Sequence, residues 1–358
     1  MGLFRRRVLA SAAAEQTVAA SAGCTAGVGV GGTWFASATV CGTTRAAAMS
    51  LPTISRARDV QASLVASLPI RQYGTQWNGE ELEELPLPPE PWMLRPDPNT
   101  TRQHIMSWTT DDLMFFGRAH WYVTSRYANG FPASFQWLPA DQTTIQTQMW
   151  AGNVPVGKWS FYFQSQEIPL SDVVCFWSPQ PPILEVGGRA IRTSLQLEQA
   201  AERFASTPTA FGWLQTSGEP LTQEELADLA SGWATARETN AVASLSEGVS
   251  WVESGMDPTR LQLIEARQHS SLDQARLTNV PPWLVGVAVG GMTYSNVNDQ
   301  KAQAVLFGAQ PFIETIEQTL SGDQVTPRGR IIRLDRQAWL DNPLDMNQPQ
   351  PEQQRQTA

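Results

Sequence analysis

The sequence predicts an α+β protein, and three observations predict it. Between His120 and Trp177, five runs rich in β-branched and aromatic residues are separated by Gly, Pro, Asn and Asp turns, the pattern of antiparallel strands. On either side of that block, apolar residues recur at helical spacing. The two signals are segregated along the chain instead of alternating, which separates α+β from a parallel α/β sheet.

Residues 1–45 are rich in Ala, Gly, Ser and Thr, include the run Gly27–Gly32, and read as a flexible arm. Thr53–Leu68 places Ile54, Ala57, Val60 and Leu64 on one helical stripe, closed by Leu68-Pro69. Pro69–Trp77 reads as a strand. Glu80–Glu84 carries four carboxylates in five positions and reads as a solvated acidic face, followed by an extended proline-rich crossing from Pro86 to Pro98. A second helix starts at Thr100, presents Ile105, Trp108, Asp112 and Phe116, and stops at Gly117. The runs His120–Arg126, Phe135–Leu138, Thr144–Trp150, Lys158–Phe163 and Val173–Trp177 then predict a mostly antiparallel sheet, with Asn129-Gly130 as a turn.

The second half is helical. Gly188–Ser206 carries Leu197, Ala201 and Phe204 on one stripe and ends at Thr207-Pro208. Thr222-Gln223-Glu224-Glu225 is a capping box: the Thr hydroxyl can accept the third amide while Glu225 reaches back to the cap amide. Leu226, Leu229, Ala230 and Trp233 form the stripe that this helix is expected to bury. Val249–Glu253 reads as a strand, Arg260–Thr278 as a long helix, and Asn298–Leu320 as its companion. Pro311 lies inside the last helix and predicts a kink. A short strand, Gly329–Leu334, precedes a Gln-, Pro- and Asn-rich tail that reads as disordered.

Composition excludes several functions. The 358 residues carry a formal charge of −9, which argues against DNA or membrane binding driven by bulk charge. Only 16% of residues are charged, while 14 tryptophans and 25 prolines are generous, a combination that suits extended surfaces covered by a partner. Cys24, Cys41 and Cys175 are odd in number and widely spaced, indicating neither a disulfide framework nor a zinc site. The opening Met1–Ala14 stretch has a basic start, but its apolar run is too short for a secretion signal, and no run of apolar residues is long enough to span a bilayer. The glycine run lacks the G-K-[ST] of a phosphate loop, and no G-x-S-x-G occurs. His104, His120 and His269 are isolated and read as polar residues on element surfaces. No catalytic residue, metal or cofactor is indicated, and nothing demands an enzyme.

The order of several short motifs carries a resemblance. Ser55–Pro69 (SRARDVQASLVASLP) before a strand, Leu94–Asn99 (LRPDPN), and Asp112–Trp121 (DLMFFGRAHW) resemble the portal protein family of tailed bacteriophages. So do Gly130-Phe131-Pro132, Leu138-Pro139-Ala140, Val280–Gly286 (VPPWLVG) followed by Thr293-Tyr294-Ser295-Asn296, and Gln310-Pro311. The likeness runs from about residue 45 to 320 and departs at Cys175-Phe176, where relatives carry His-Phe, and in a short C-terminal region.

The resemblance implies a portal fold: a mixed or antiparallel β-rich wing, long stem helices, a small α/β clip and a kinked C-terminal helix. Mapped onto this chain, residues 46–187 are the wing, 188–206 the first stem helix, 207–257 the clip and 258–279 the second stem helix. Residues 280–297 are the channel loop, 298–320 the kinked wing helix, and 321–358 a short crown remnant and tail. The implied function is a homo-oligomeric, dodecameric ring at one capsid vertex. Double-stranded DNA passes through it, without sequence reading, during terminase-driven packaging and during ejection, and the head-tail connector docks on it. Implied partners are the terminase large subunit, a head-tail adaptor, and the major capsid and scaffolding proteins. The implied location is the virion, with host cytoplasm during assembly. A structural capsid or connector component that is not the conduit, and a hydrolase with dispersed catalytic residues, are the alternative classes.

Within that frame the charge acquires a meaning, because tight phosphate neutralisation would hold DNA where an acidic conduit lets it slide. Tyr294, Ser295, Asn296 and Asn298 can offer neutral hydrogen bonds to phosphates, although Ser295 or Asn296 can equally cap the following helix. Arg260, Arg267 and Arg276 sit on the second stem helix, either facing the bore or bridging subunits. Glu224, Glu225 and Asp228, beside the buried face of Trp233, are the expected clip contact for terminase or connector.

Overall fold

The computed structural model describes residues 33–35, 39–40, 43–79, 82–206, 212–216, 222–238, 249–253, 262–287 and 304–336. The chain divides into a unit formed by Met1–Arg189 with Gln274–Ala358 and a second formed by Ala190–Asp273.

The first unit opens with three short strands, β1 (Thr33–Phe35), β2 (Thr39–Val40) and β3 (Thr43–Thr44). Helix α1 (Arg45–Met49) is capped by the Thr44 hydroxyl, which accepts the Ala47 amide. Helix α2 (Pro52–Ser67) has proline in its first turn, where a missing N–H costs nothing. It buries Ile54, Ala57, Leu64 and Val65, three of the four stripe positions being fully covered while Val60 is half-buried. Strands β4 (Ile70–Trp77) and β5 (Leu82–Leu87) form an antiparallel ribbon that leads through the short helix α3 (Pro91–Leu94) to α4 (Arg102–Phe116). The Thr101 hydroxyl accepts the His104 amide at the start of α4, and Gly117 ends it at φ 69°, where a Cβ would also meet Asn153 and Pro182.

The β-block is where sequence and structure first diverge. The five expected runs are present as β6 (Arg118–Arg126), β7 (Pro132–Leu138), β8 (Thr143–Ala151), β9 (Val154–Phe163) and, after the short β10 (Gln166–Ile168), β11 (Val173–Trp177). They form two antiparallel sheets where the pattern suggested one, ordered β11-β6-β7 and β1-β8-β9-β10. Leu138, Ile145, Phe161 and Val173 fill a core to which both sheets contribute, and burial of that core is what a single flat meander could not supply. On its other side the first sheet packs on α4: Trp121 donates its indole N–H to the Thr109 hydroxyl at 2.7 Å, and its ring lies 5.3 Å from Phe135 and 4.9 Å from Phe176.

Two more expectations are corrected. Part of the presumed arm, Thr33–Phe35, pairs in register with Phe35 opposite Thr144 on β8, because that edge has unpaired backbone groups to offer. The glycine run Gly27–Gly32 lies outside the described residues. Of the acidic segment, Glu83 and Glu84 are exposed as expected, and they lie on the edge strand β5 (Leu82–Leu87). The strand placed in a crown remnant, β14 (Arg330–Leu334), instead completes a sheet ordered β14-β4-β5, with Leu334 opposite Ile70 and both buried. The tail beyond residue 336 lies outside the described residues.

The expected irregularity at Pro311 has a specific form. Residues Ala304–Ala309 wind as a π-helix, and the α-helix proper begins at Gln310. The wider turn accommodates the missing donor, so the irregularity that Pro311 predicts takes the form of a π-helical segment just before it, with Pro311 itself in the first turn of the α-helix, where it is tolerated.

The second unit contains most of α6 (Gly188–Ser206), strand β12 (Gly212–Thr216), helix α7 (Gln223–Glu238), strand β13 (Val249–Glu253) and most of helix α8 (Leu263–Leu277). A four-residue helix, α5 (Ile183–Val186) in chain order, precedes α6 and ends the first unit's β-block. The last helix, α9 (Gln310–Leu320), returns to the first unit and buries Phe312, Ile313, Ile316 and Leu320. β12 and β13 pair antiparallel with Leu214 opposite Trp251.

Candidate functional site

The residues expected to face a channel or a docking partner fall mostly in the second unit. Its two long helices run antiparallel: the hydroxyls of Ser194 and Ser270 lie 2.6 Å apart, and one turn away Arg267 donates Nε and Nη2 to the two oxygens of Glu198 at 3.0 and 2.8 Å. The fork geometry fixes orientation more than energy, since both side chains are nearly half exposed and such pairs contribute about 0–1 kcal/mol. Arg267 therefore has an intrachain partner. Arg276 is exposed in the last turn of α8, where a cation complements the helix dipole. Arg260 and the loop residues Tyr294, Ser295, Asn296 and Asn298 lie outside the described residues.

The capping box forms as the sequence specifies. The Thr222 amide donates to Glu225 Oε2 at 2.9 Å, the Glu225 amide donates to Thr222 Oγ1 at 3.4 Å, and the Thr222 hydroxyl donates to the same carboxylate at 2.8 Å. These Thr222 donors hold the Glu225 carboxyl below the usual carboxylate range. Glu225 is thereby committed to the cap, whereas Glu224 and Asp228 are exposed on the same helix. The stripe expected to be buried is not: Leu226 is 47% exposed, Ala230 is exposed, and Leu229 and Trp233 are half-buried. A two-stranded ribbon has too little surface to cover the helix that it flanks.

The base of the expected channel loop is built in the first unit, and its organiser is a residue that sequence reasoning missed. Gln61, buried on α2, donates Nε2 to the Thr278 carbonyl at 2.8 Å and to the Gly308 carbonyl at 3.3 Å. These two carbonyls flank residues 280–304 on either side. The chain leaves Thr278 through Asn279 at φ 53° and then turns through Pro281, Pro282 and Gly286 at φ 79°, a conformation that glycine adopts without strain.

Three buried polar groups were also missed. Asp111 is fully buried and accepts from both Arg45 and Arg58, whose guanidinium groups lie 5.0 and 5.3 Å from the Trp108 ring centroid. Its neighbour Asp112 accepts Trp137 Nε1 at 2.8 Å and the Ala140 amide at 3.3 Å, and burial, with the Asp111 charge adding, raises its carboxyl well above the usual range. The Asp111-Asp112 doublet directly before the apolar run Leu113–Phe116 was the available signal. His120, placed on a surface by the sequence reading, is 0% exposed, packed 4.9 Å from Phe161 and edge-on to Trp177, with neither ring nitrogen partnered among the described residues. Strand alternation puts it on the inner face that Phe161 occupies from the other sheet. Across the ladder from it, Cys175 has its thiol pushed up to about 12 by burial, which denies it the thiolate that nucleophilic chemistry needs. Among the described residues, no group of three or more His, Cys, Asp or Glu side chains is placed to hold a metal ion.

The solved structure of an HK97-family phage portal protein from Corynebacterium diphtheriae has the same fold, with a TM-score of 0.68 and 25% identity over 86% of this chain and 99% of that one. The neck of a native gene transfer agent particle with twelvefold symmetry matches in fold alone, with a TM-score of 0.55 and 16% identity over 81% of this chain and 82% of that one. A probable portal protein of Streptomyces phage phiC31 is 28% identical over 136 residues, which span 35% of this chain and 30% of that relative. The family model described as phage portal protein matches residues 52–343, and the chain belongs to that family.

Proposed function

We propose that the protein forms a ring at one capsid vertex, through which double-stranded DNA is packaged and later ejected. The observation that carries this reading is the family match across residues 52–343, supported by the fold shared with a solved phage portal protein over 86% of this chain. A ring also accounts for the uncovered stripe of α7, because Leu226 is the kind of apolar surface that a second subunit can cover. In this reading the wing spans residues 46–187, α6 and α8 are the stem, and residues 207–257 form the clip. Residues 280–297 line the channel, with both flanks held by Gln61. The formal charge of −9 per subunit gives a bore that repels phosphate and lets DNA slide.

Glu224 and Asp228 are the clip carboxylates open to a terminase or a connector, and capsid and scaffolding proteins are the partners of the outer surface. Negative-stain images of the purified protein should show rings with a central hole, and persistent monomers under all assembly conditions would overturn the reading. Charge reversal by E224K and D228K should leave rings intact while impairing DNA packaging. Normal packaging by that variant would remove the clip assignment and leave the ring untouched.

A further inference from the structure

Two arginines without carboxylate partners among the described residues line a cavity of about 630 Å³ in the first unit. Arg95 and Arg102 line it together with Leu94, Asn99, Thr100 and His104. Each guanidinium is already anchored, Arg95 Nη2 on the Pro98 carbonyl at 2.8 Å and Arg102 Nη1 on the Leu68 carbonyl at 2.9 Å, so their remaining donors are pre-positioned. Neither pairs with a carboxylate among the described residues, whereas Arg45, Arg58, Arg126, Arg267, Arg330 and Arg333 all do. The nearby Asp97 is already occupied, accepting the Asn99 amide and the Thr100 hydroxyl. Burial lowers the Arg102 pKa, as it does for a cation held partly out of water with no anion to offset the cost. At the rim, Leu94 is 70% exposed. In an acidic chain, uncompensated cations beside an exposed leucine form half of an interface.

The complementary half is on the same chain. β5 is the edge of its sheet and carries Glu83, exposed and without a partner among the described residues, next to Glu84, which is engaged by Arg333 at 2.8 Å. Leu85 on the same strand is 40% exposed. A ring joins two different patches of one chain head to tail, and an arginine pair with an apolar rim against a carboxylate edge with an apolar neighbour satisfies that requirement.

We propose that Arg95 and Arg102 of one subunit receive the Glu83 edge of β5 from the next subunit, with Leu94 packing against Leu85. This inference rests on the ring reading above and names a contact that closes the ring. The charge complementarity selects a second copy as occupant, while the edge carboxylates could otherwise serve only to discourage strand addition.

A charge-swap series on the full chain tests it, with ring population read by sedimentation velocity and electron microscopy. The R95E/R102E double variant and the E83R variant should each lower the ring population about tenfold or more, and combining the three changes should restore it to within about twofold of wild type. Circular dichroism of the monomer fraction checks folding, and if R95E/R102E does not fold, E83R and the charge-conserving R95K/R102K carry the test: the first should lose rings and the second keep them. Rings at the wild-type level in E83R, or a combined variant no better than the double one, would overturn the contact while leaving the ring reading intact. Absence of rings in the wild type would remove both.

Discussion

Gln61 and Thr278 are joined by a 2.8 Å hydrogen bond from the side-chain amide of one to the carbonyl of the other, across 217 residues of sequence. The same nitrogen reaches Gly308, so one buried side chain pins the two ends of the segment assigned to the channel. Replacing it with leucine keeps the volume but removes a buried donor from two carbonyls. Q61L should cost about 1–3 kcal/mol in urea unfolding. Faster amide exchange at Val280 and in the first turn of α9, relative to the rest of the fold, would localise the loss; uniform exchange would mean that Gln61 does not hold the loop base.

Gly187 marks the junction of the first unit with the long helix α6, and a Cβ there would collide with the Leu277 side chain and come within 2.7 Å of the Ile183 carbonyl. G187A should therefore destabilise by about 1–3 kcal/mol through overpacking. Shortening the opposing side chain relieves part of the collision, so G187A with L277A should be less destabilised than the sum of the two single variants. Additive losses would show that the close approach is not what selects glycine.

Much of this arrangement could be read from residue pattern, and the exceptions share a cause. The capped start at Thr222, the end of α4 at Gly117 and the strand Val173–Trp177 follow from local chemistry, and each is where the pattern puts it. The partners of Gln61, Asp111 and His120 come from segments far away in the chain, and local spacing carries no information about them. The same holds for β14, whose register on β4 is set by the burial of Ile332 and Leu334 and not by any signal near residue 330. Strand alternation places His120 on the same face as Arg118 and Tyr122, and a face that carries a charged residue gives no local sign of burial. The exposed stripe of α7 is the converse case. Its apolar spacing is plain in the sequence, but pattern alone does not say whether a covering surface belongs to the same chain.

Asp111 holds two arginines at once, accepting Arg45 Nε and Nη2 at 2.7 Å each and Arg58 Nε at 2.6 Å, and ties α1 and α2 to α4. D111A leaves two guanidinium groups facing each other over Trp108 with no anion between them. The expected loss is about 3 kcal/mol, the low end for a broken buried pair because both arginines retain some contact with water. Equilibrium unfolding in urea measures it. A loss below about 1 kcal/mol, the level of a surface pair, would show that the cluster is not structural.

His120 should make the fold sensitive to mild acid. Desolvation, with Arg118 adding, lowers its pKa well below 6.5, so the folded protein keeps the ring neutral while the unfolded chain takes up a proton near 6.5. The unfolded state then binds more protons below that pH, and stability is full above about pH 6.5 and falls as the pH drops towards the folded value. The limiting slope is about 1.4 kcal/mol per pH unit. Groups on the packed elements do not rescue the charge: Arg118 is a cation on the same strand, Cys175 opposite is a neutral thiol, and Asp112 on α4 stays protonated above the usual carboxylate range. Asp112 acts in the opposite sense, its contribution falling as the pH rises above 3.8, but that term is common to wild type and a His120 variant and cancels in their difference. H120L should therefore lose less stability than wild type between pH 7 and pH 5, as followed by urea midpoints at each pH. Parallel curves for the two proteins would place the acid sensitivity elsewhere.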